Sequence, residues 1–135
     1  MRKGSVVVGR FGAPQPLYVT RYAADTVTVR HADNAGRPYG DSMELPTFAI
    51  ANPDTEQRFS IVRCNEQVND EGEVTQRWWK AYHHAYGLAA VRMLADLHVP
   101  EHDRWNWYYQ PVNDDDTAGE LIELQSLYER MPEEA

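Results

Sequence analysis

The longest continuous periodicity in the chain runs from Thr75 to Leu97, and every other element has to be fitted around it. Apolar residues fall at 78/79, 82, 86, 89/90, 93/94 and 97, the i, i+3, i+4, i+7 stripe of an amphipathic helix. Arg77, Lys80, His84, Arg92 and Asp96 fall mainly on the other side. Pro100 limits the element, because the residue before a proline is steered away from α geometry. Its beginning is open: "EVTQRWW" also suits a strand that follows the turn formers Asn69–Gly72.

The residues before this stripe carry strand and turn signals. Val6, Val7 and Val8 form a β-branched run closed by "GRFGAPQP", a cluster of turn formers. "PLYVTRYA" follows, with Leu17, Val19 and Arg21 on one face and Tyr18, Thr20 and Tyr22 on the other. "TVTVRH" alternates cleanly, and "ADNAGRPYGDS" is polar enough for a long surface connection. "LPTFAIA" and "QRFSIVRC" then read as a hairpin around "NPDTE". Lys3-Gly4-x-Val6-Val7, the Gly12/Pro14 turn, the Val19 strand and Val27-x-Val29 together resemble SH3-like small barrels of the KOW or Tudor type, over residues 3–50. The resemblance implies an architecture only. The aromatic cage that Tudor-type barrels use for methylated side chains has no matching motif here.

After the stripe, "RWNWYYQPV" reads as a strand over residues 104–110, with Trp105, Trp107 and Tyr109 alternating against polar neighbours. Thr117-Ala-Gly-Glu120 fits a capping box, and Asp114–Asp116 suit the positive end of a helix dipole. Leu121, Leu124, Tyr128 and Met131 give that helix an apolar edge before Pro132. The expected fold is α+β in a single domain over 1–135, mainly β over 1–64 and helix-strand-helix over 65–135. A curved antiparallel sheet of about five or six strands, SH3-like in form, packs against helices 75–97 and 117–131.

Composition removes some classes of function. The formal net charge is −8, unevenly spread. Residues 1–40 hold six basic against two acidic residues, and residues 113–135 hold eight acids against Arg130 alone. Such an asymmetry fits a nucleic-acid-facing front with a repelling tail, an acidic end docked on the basic one or on a basic partner, or plain solvated charge on two surfaces. No apolar run approaches the roughly 20 residues that span a bilayer, and the N-terminus lacks a signal-peptide pattern. The expectation is a cytoplasmic protein with no membrane partner. Cys64 is the only cysteine, which leaves no internal disulfide; it reads as a structural thiol.

Residues 77–109 contain all four tryptophans and four of the five histidines. They also contain His98-Val99-Pro100-Glu101-His102, an H-x-x-E-H match. That zinc-hydrolase pattern needs continuous helix, so that both histidines point at one metal and the glutamate handles the water proton. Pro100 sits in the middle, where its ring opposes the helix, and it suits the start of a new turn instead. His98 and His102 then fall on different segments. His83 and His84 lie about 100° apart on a helix, which places His83 on the flank of the buried stripe and His84 in solvent. Trp79, Trp105 and Trp107 read as core, and Trp78 as exposed. "NDDD" lacks the spacing and the distal glutamate of an EF-hand.

No catalytic residue, cofactor site or metal ligand is assigned. The leading expectation is a small non-catalytic binding or regulatory protein, of the accessory type carried by phages and mobile elements. It would act through a protein partner or self-association, with Trp78, Arg77, Lys80, His84 and Arg104 as the candidate surface. The first alternative is nucleic-acid binding through Arg10, Arg21, Arg30 and Arg37, with Tyr18 and Tyr22 as stacking groups. The second is an enzyme or small-molecule binder at the Trp/His-rich segment.

Overall fold

The computed structural model describes residues 2–12 and 15–130, the last by its backbone only. Pro14, Met131 and Pro132, used in the expectations above, lie outside the described residues. The protein is mostly β, with antiparallel sheets of five and four strands, few short helices, and no closed barrel among the described residues. The chain groups into two compact units, Met1–Glu56 and Gln57–Ala135.

The first unit contains β1 (Val6–Gly9), β2 (Pro16–Tyr22), β3 (Thr26–Ala32), β4 (Pro38–Pro46) and β5 (Ile50–Ala51), in the order β4-β3-β2-β1-β5. Alternation puts Val7, Leu17, Val19, Val27, Val29 and Ile50 into one buried cluster, with Met43 and Leu45 packed against it. The alternation expected for β2 fails at one place. The β2–β3 register shifts between Val19 and Arg21, so that Arg21 pairs with Thr28 and Tyr22 with Val27. This bulge moves Arg21 to the outer face with Tyr18 and carries Tyr22 to the side of Val27, because one extra residue reverses every later side chain.

The expected hairpin around "NPDTE" does not form. β5 pairs with β1 instead, Val8 opposite Ala51 and Gly9 opposite Ile50. Residues 52–56 close on themselves: the Asn52 carbonyl accepts from the N–H groups of Thr55 and Glu56, and the Glu56 carboxylate accepts from the Asn52 N–H at 2.8 Å. A turn satisfied by its own Asn and Glu has no need of flanking strands.

The second unit contains β6 (Arg58–Val68), β7 (Val74–Tyr86), α1 (Leu88–His98), a 3-10 turn (Glu101–Asn106), β8 (Trp107–Val112), β9 (Ile122–Glu123) and α2 (Gln125–Arg130). Its sheet order is β7-β6-β8-β9. Here the helix expected over 75–97 is corrected. Val74–Tyr86 is a strand paired with β6 from Arg58↔Tyr86 to Val68↔Val74, and helix begins only after Gly87, whose φ is +87°. Val, Thr, Trp and Tyr favour the pleated state. The hairpin is closed by Asn69, whose side-chain oxygen accepts from the N–H groups of Glu71 and Glu73, both at 2.9 Å. In α1 the buried residues are Ala90, Val91 and Ala95, while Met93 and Leu97 face outward. The apolar stripe is thus rotated from the one expected.

The last helix is also shorter than expected. Thr117 does not cap: its hydroxyl donates to Asp115 at 2.6 Å, and its carbonyl accepts from the Asn113 N–H at 2.9 Å, closing a turn in which Asp116 has φ +65°. Gly119 then lies flat against Pro111, where a Cβ would come within 2.6 Å of the ring. β9 pairs with β8, and α2 starts at Gln125. Pro100 does end α1, and a new turn follows it with Glu101 and Asp103 in its first turn. The strand expected over 104–110 is displaced to Trp107–Val112.

Candidate protein-binding surface

β6 and β7 form one long hairpin with two unlike halves. At its root, Phe59, Ser60, Ile61 and Val62 of β6 are all buried, so both faces of the strand are covered there. Further out, every residue of β7 from Val74 to Tyr82 is exposed. β7 is also the edge of its sheet, so alternate backbone N–H and C=O groups along it point away from β6.

The register assigns the side chains of this outer half to faces. From Gln67↔Gln76 to Val62↔Ala81 the pairing is regular, between bulges at Gln67/Val68 and Ile61/Val62. Trp78 and Lys80 therefore share the face of Arg63, and Arg77 and Trp79 share the face of Cys64. Contacts agree with this division. The Lys80 ammonium lies 5.0 Å from the Tyr82 ring, which tilts against Trp107 at 5.2 Å. On the other face Trp79 meets Tyr108 edge-on at 5.0 Å, and Arg77 pairs with Glu66 at 3.2 Å. Trp78 remains 42% exposed and Trp79 45% exposed. The expectation that Trp79 fills the core fails with the helix that supported it, since adjacent residues on a strand point to opposite faces and the Trp79 ring stays exposed on its own.

An ionic clamp fixes the ribbon where it leaves the body. Arg63 donates to both carboxylate oxygens of Asp103 at 2.9 and 3.0 Å, and Trp107 Nε1 and Asn106 Nδ2 donate to the same group at 2.7 and 2.9 Å. The Arg63 hydrogen bond, aided by those from Asn106 and Trp107, holds the Asp103 carboxyl well below the usual carboxylate range.

Three of the five expected surface residues lie together on the exposed ribbon: Arg77, Trp78 and Lys80. His84 does not stand in solvent. It is half-buried at the root, where its Nδ1 lies 3.0 Å from the Ser60 hydroxyl, and burial pushes its pKa down. Arg104 is not free either. Its guanidinium stacks on the Tyr128 ring at 3.6 Å, with Arg92 on the same ring at 3.9 Å. The Tyr128 hydroxyl donates to Asp96 at 2.7 Å, and burial followed by that acid pushes its pKa up to about 12. The three elements α1, the 3-10 turn and α2 are joined by this stack. Beside it lies an open concavity of about 580 Å³ lined by Glu101, His102, Arg104, Trp105 and Gln125.

Sequence reasoning missed Trp79, Tyr82 and Trp105 as surface residues. Trp105 is 64% exposed because the turn that Pro100 starts runs through Asn106. The proline was the signal that could have found it.

The H-x-x-E-H residues are separated: His98 ends α1, whereas Glu101 and His102 lie in the 3-10 turn. The His98 ring stacks on His83 at 4.7 Å and 18°. Burial, then the charges of His98 and His84, lower the His83 pKa. Among the described residues no three His, Cys, Asp or Glu side chains come together as a metal cluster. Cys64 is half-buried, opposite Trp79 in the ladder.

In the first unit, Arg10 is built into the fold: Nε donates to the Phe48 carbonyl at 2.6 Å, Nη2 to that of Ile50 at 2.8 Å, and Nη1 pairs with Glu56. Tyr18 and Arg30 lie opposite each other on the outer face, where the bulge also brings Arg21; Tyr22 is on the other side. Arg30 Nε donates to the Gly40 carbonyl at 2.9 Å, and Arg37 is exposed beyond β3. No described helix is long and apolar enough to cross a membrane. No family model, curated protein or solved structure matches this chain.

Proposed function

We propose that the protein is a non-catalytic binding module that takes an extended segment of another polypeptide along the β7 edge. The observation that carries this reading is the run Val74–Tyr82, exposed on an edge strand with tryptophans on both faces. Strand addition uses the outward backbone groups for affinity and the alternating side chains for specificity. Trp78 and Trp79 supply anchor surface of the kind that dominates interfaces, and Arg77 and Lys80 flank them with charge. Long flat edges are otherwise blunted by proline, lysine or a cover, because they aggregate. Lys80 is the one lysine on this edge, and the outer half has no proline.

The test is affinity capture with the intact chain and with a Trp78→Ser/Trp79→Ser chain, followed by hydrogen exchange on the recovered complex. The reading expects partners held by the first and lost by the second, with slowed exchange over residues 74–82. Capture indifferent to both tryptophans would overturn it.

The order β4-β3-β2-β1-β5 and the bulges in β2 and β3 support an SH3-like small-barrel architecture for the first unit. Nucleic-acid binding by its outer face is the second reading. It is favoured by the bulge that adds Arg21 to Tyr18 and Arg30, and opposed by Glu44, which pairs with Thr28 on that face. A low-salt gel shift with no retardation would remove it, because phosphate contacts are strongest there.

A further inference from the structure

Resting on the strand-addition reading, we propose that the occupant of the β7 edge is β7 of a second copy of this chain. The two strands run antiparallel about a two-fold axis through Trp78. The pairing joins two four-stranded sheets into one, β9-β8-β6-β7 continuing into β7-β6-β8-β9 of the second copy.

Symmetry restricts the register before any side chain is considered. A two-fold axis perpendicular to a sheet keeps each face on its own side. Across the regular ladder of residues 76–81 faces alternate with residue number, so a residue there must lie opposite one of the same parity. Some residue therefore faces its own copy. The exposed run Val74–Tyr82 extends four residues to either side of Trp78. Centring the axis there sets the two halves of the exposed run against each other, with the bulges near Thr75 and Tyr82 at its two ends.

Charge selects the same centre. With Trp78 opposite its own copy, Gln76 lies opposite Lys80, and Arg77 lies opposite Trp79, each twice. The regular ladder between the two bulges contains all of these positions. Cross-strand aromatic pairs and a guanidinium over an indole are both favourable on a sheet. Moving the axis to Arg77 sets that guanidinium against itself, and moving it to Lys80 does the same with the ammonium, which is unfavourable. An axis at Trp79 pairs Val74 with His84 and runs the exposed edge against the half-buried root. Trp78 is the one centre that covers the run without opposing like charges.

The experiment uses the full chain in sedimentation, with two variants. Trp78→Lys puts two ammonium groups at the axis, and a far-UV spectrum like that of the parent shows that it folds. Trp78→Cys in a Cys64→Ser background, held in oxidised glutathione, places two thiols at the axis; Trp79→Cys in the same background is the control. The proposal expects concentration-dependent dimers, association weakened about 30-fold or more by Trp78→Lys, and a covalent dimer from Trp78→Cys but not from Trp79→Cys. A chain that stays monomeric overturns it, as does a dimer that ignores Trp78→Lys and does not cross-link through position 78. A monomer that still captures a different chain through Trp78 and Trp79 removes self-pairing and keeps strand addition. A monomer that captures nothing removes both.

Discussion

The two halves of the β6–β7 hairpin belong to the same pair of strands, yet one is covered and the other carries large aromatic side chains in the open. The covered root buries Phe59, Ile61, Val62, Ala85 and Tyr86 around the polar pair Ser60 and His84, whereas the outer half exposes Trp78, Trp79 and Tyr82. In a strand that only has to fold, apolar side chains go inward and polar ones outward. At the root the polar groups are tolerated because they bond to each other: a buried hydroxyl and an imidazole at 3.0 Å satisfy one another. In the outer half Trp79 meets Tyr108 edge-on and Tyr82 leans on Trp107, yet Trp78, Trp79 and Tyr82 all stay more than 40% exposed. The contrast separates buried residues that stabilise the fold from exposed ones that contribute little to it, and substitutions at the two halves should separate in the same way.

The largest effect belongs to the root. Ile61 is fully buried on the central strand, and Ile61→Ala should cost roughly 3 kcal/mol in denaturant unfolding, the lost transfer energy plus a cavity. A cost near zero would contradict the two-sided burial of β6. Next comes the clamp. Asp103→Asn leaves the Arg63 guanidinium without its carboxylate and should cost about 2 kcal/mol. Because the folded carboxyl titrates lower than the free one, its contribution is complete above the unfolded pKa of about 3.9 and drains as pH falls toward the folded value. The variant should therefore lose part of the acid sensitivity of the parent, which unfolding curves at pH 6 and pH 3 would show.

Smaller again is the histidine effect. His83 and His84 both have lowered pKa values, chiefly from burial. Their neutral forms support the fold fully above the unfolded pKa of about 6.5, and stability falls as pH drops from there toward their folded values. A His83→Gln/His84→Gln chain should have a flatter stability profile between pH 7 and pH 5, and an unchanged slope would contradict the burial of both rings. The smallest effect is expected in the outer half, where Trp78→Ser should change stability by no more than ~0.5 kcal/mol. A cost as large as that of Ile61→Ala would make Trp78 a folding residue and erase the contrast.

The first three strands were legible in the sequence, because a clean period of two in Val27-x-Val29 and Leu17-x-Val19 is produced by one buried face and little else, whereas β4 begins at Pro38 inside the stretch expected as a surface connection. The bulge at Thr20 was not legible; one inserted residue leaves no compositional trace, yet it exchanged the faces of Arg21 and Tyr22. The stripe over 75–97 failed for a different reason. Residues 78, 82 and 86 are four apart, a spacing shared by one helical face and by every second position on one strand face. The bulges beside Tyr82 and Thr75 then broke the simple alternation that would have favoured the strand. Pro100 was read correctly because its effect is local steric exclusion and needs no tertiary context. Of the proposed surface, Arg77, Trp78 and Lys80 were legible as exposed residue types, and their position on an edge strand was not.

Hydrogen exchange along β7 at several protein concentrations tests the central contrast most directly, since it reads the root and the edge in one experiment. Residues 59–62 should exchange slowly at every concentration. Over residues 74–82 the outward amides should exchange quickly in dilute solution and become protected as concentration rises, and this gain should vanish in Trp78→Lys. Protection over 74–82 that equals the root in dilute solution and does not change with concentration would contradict it.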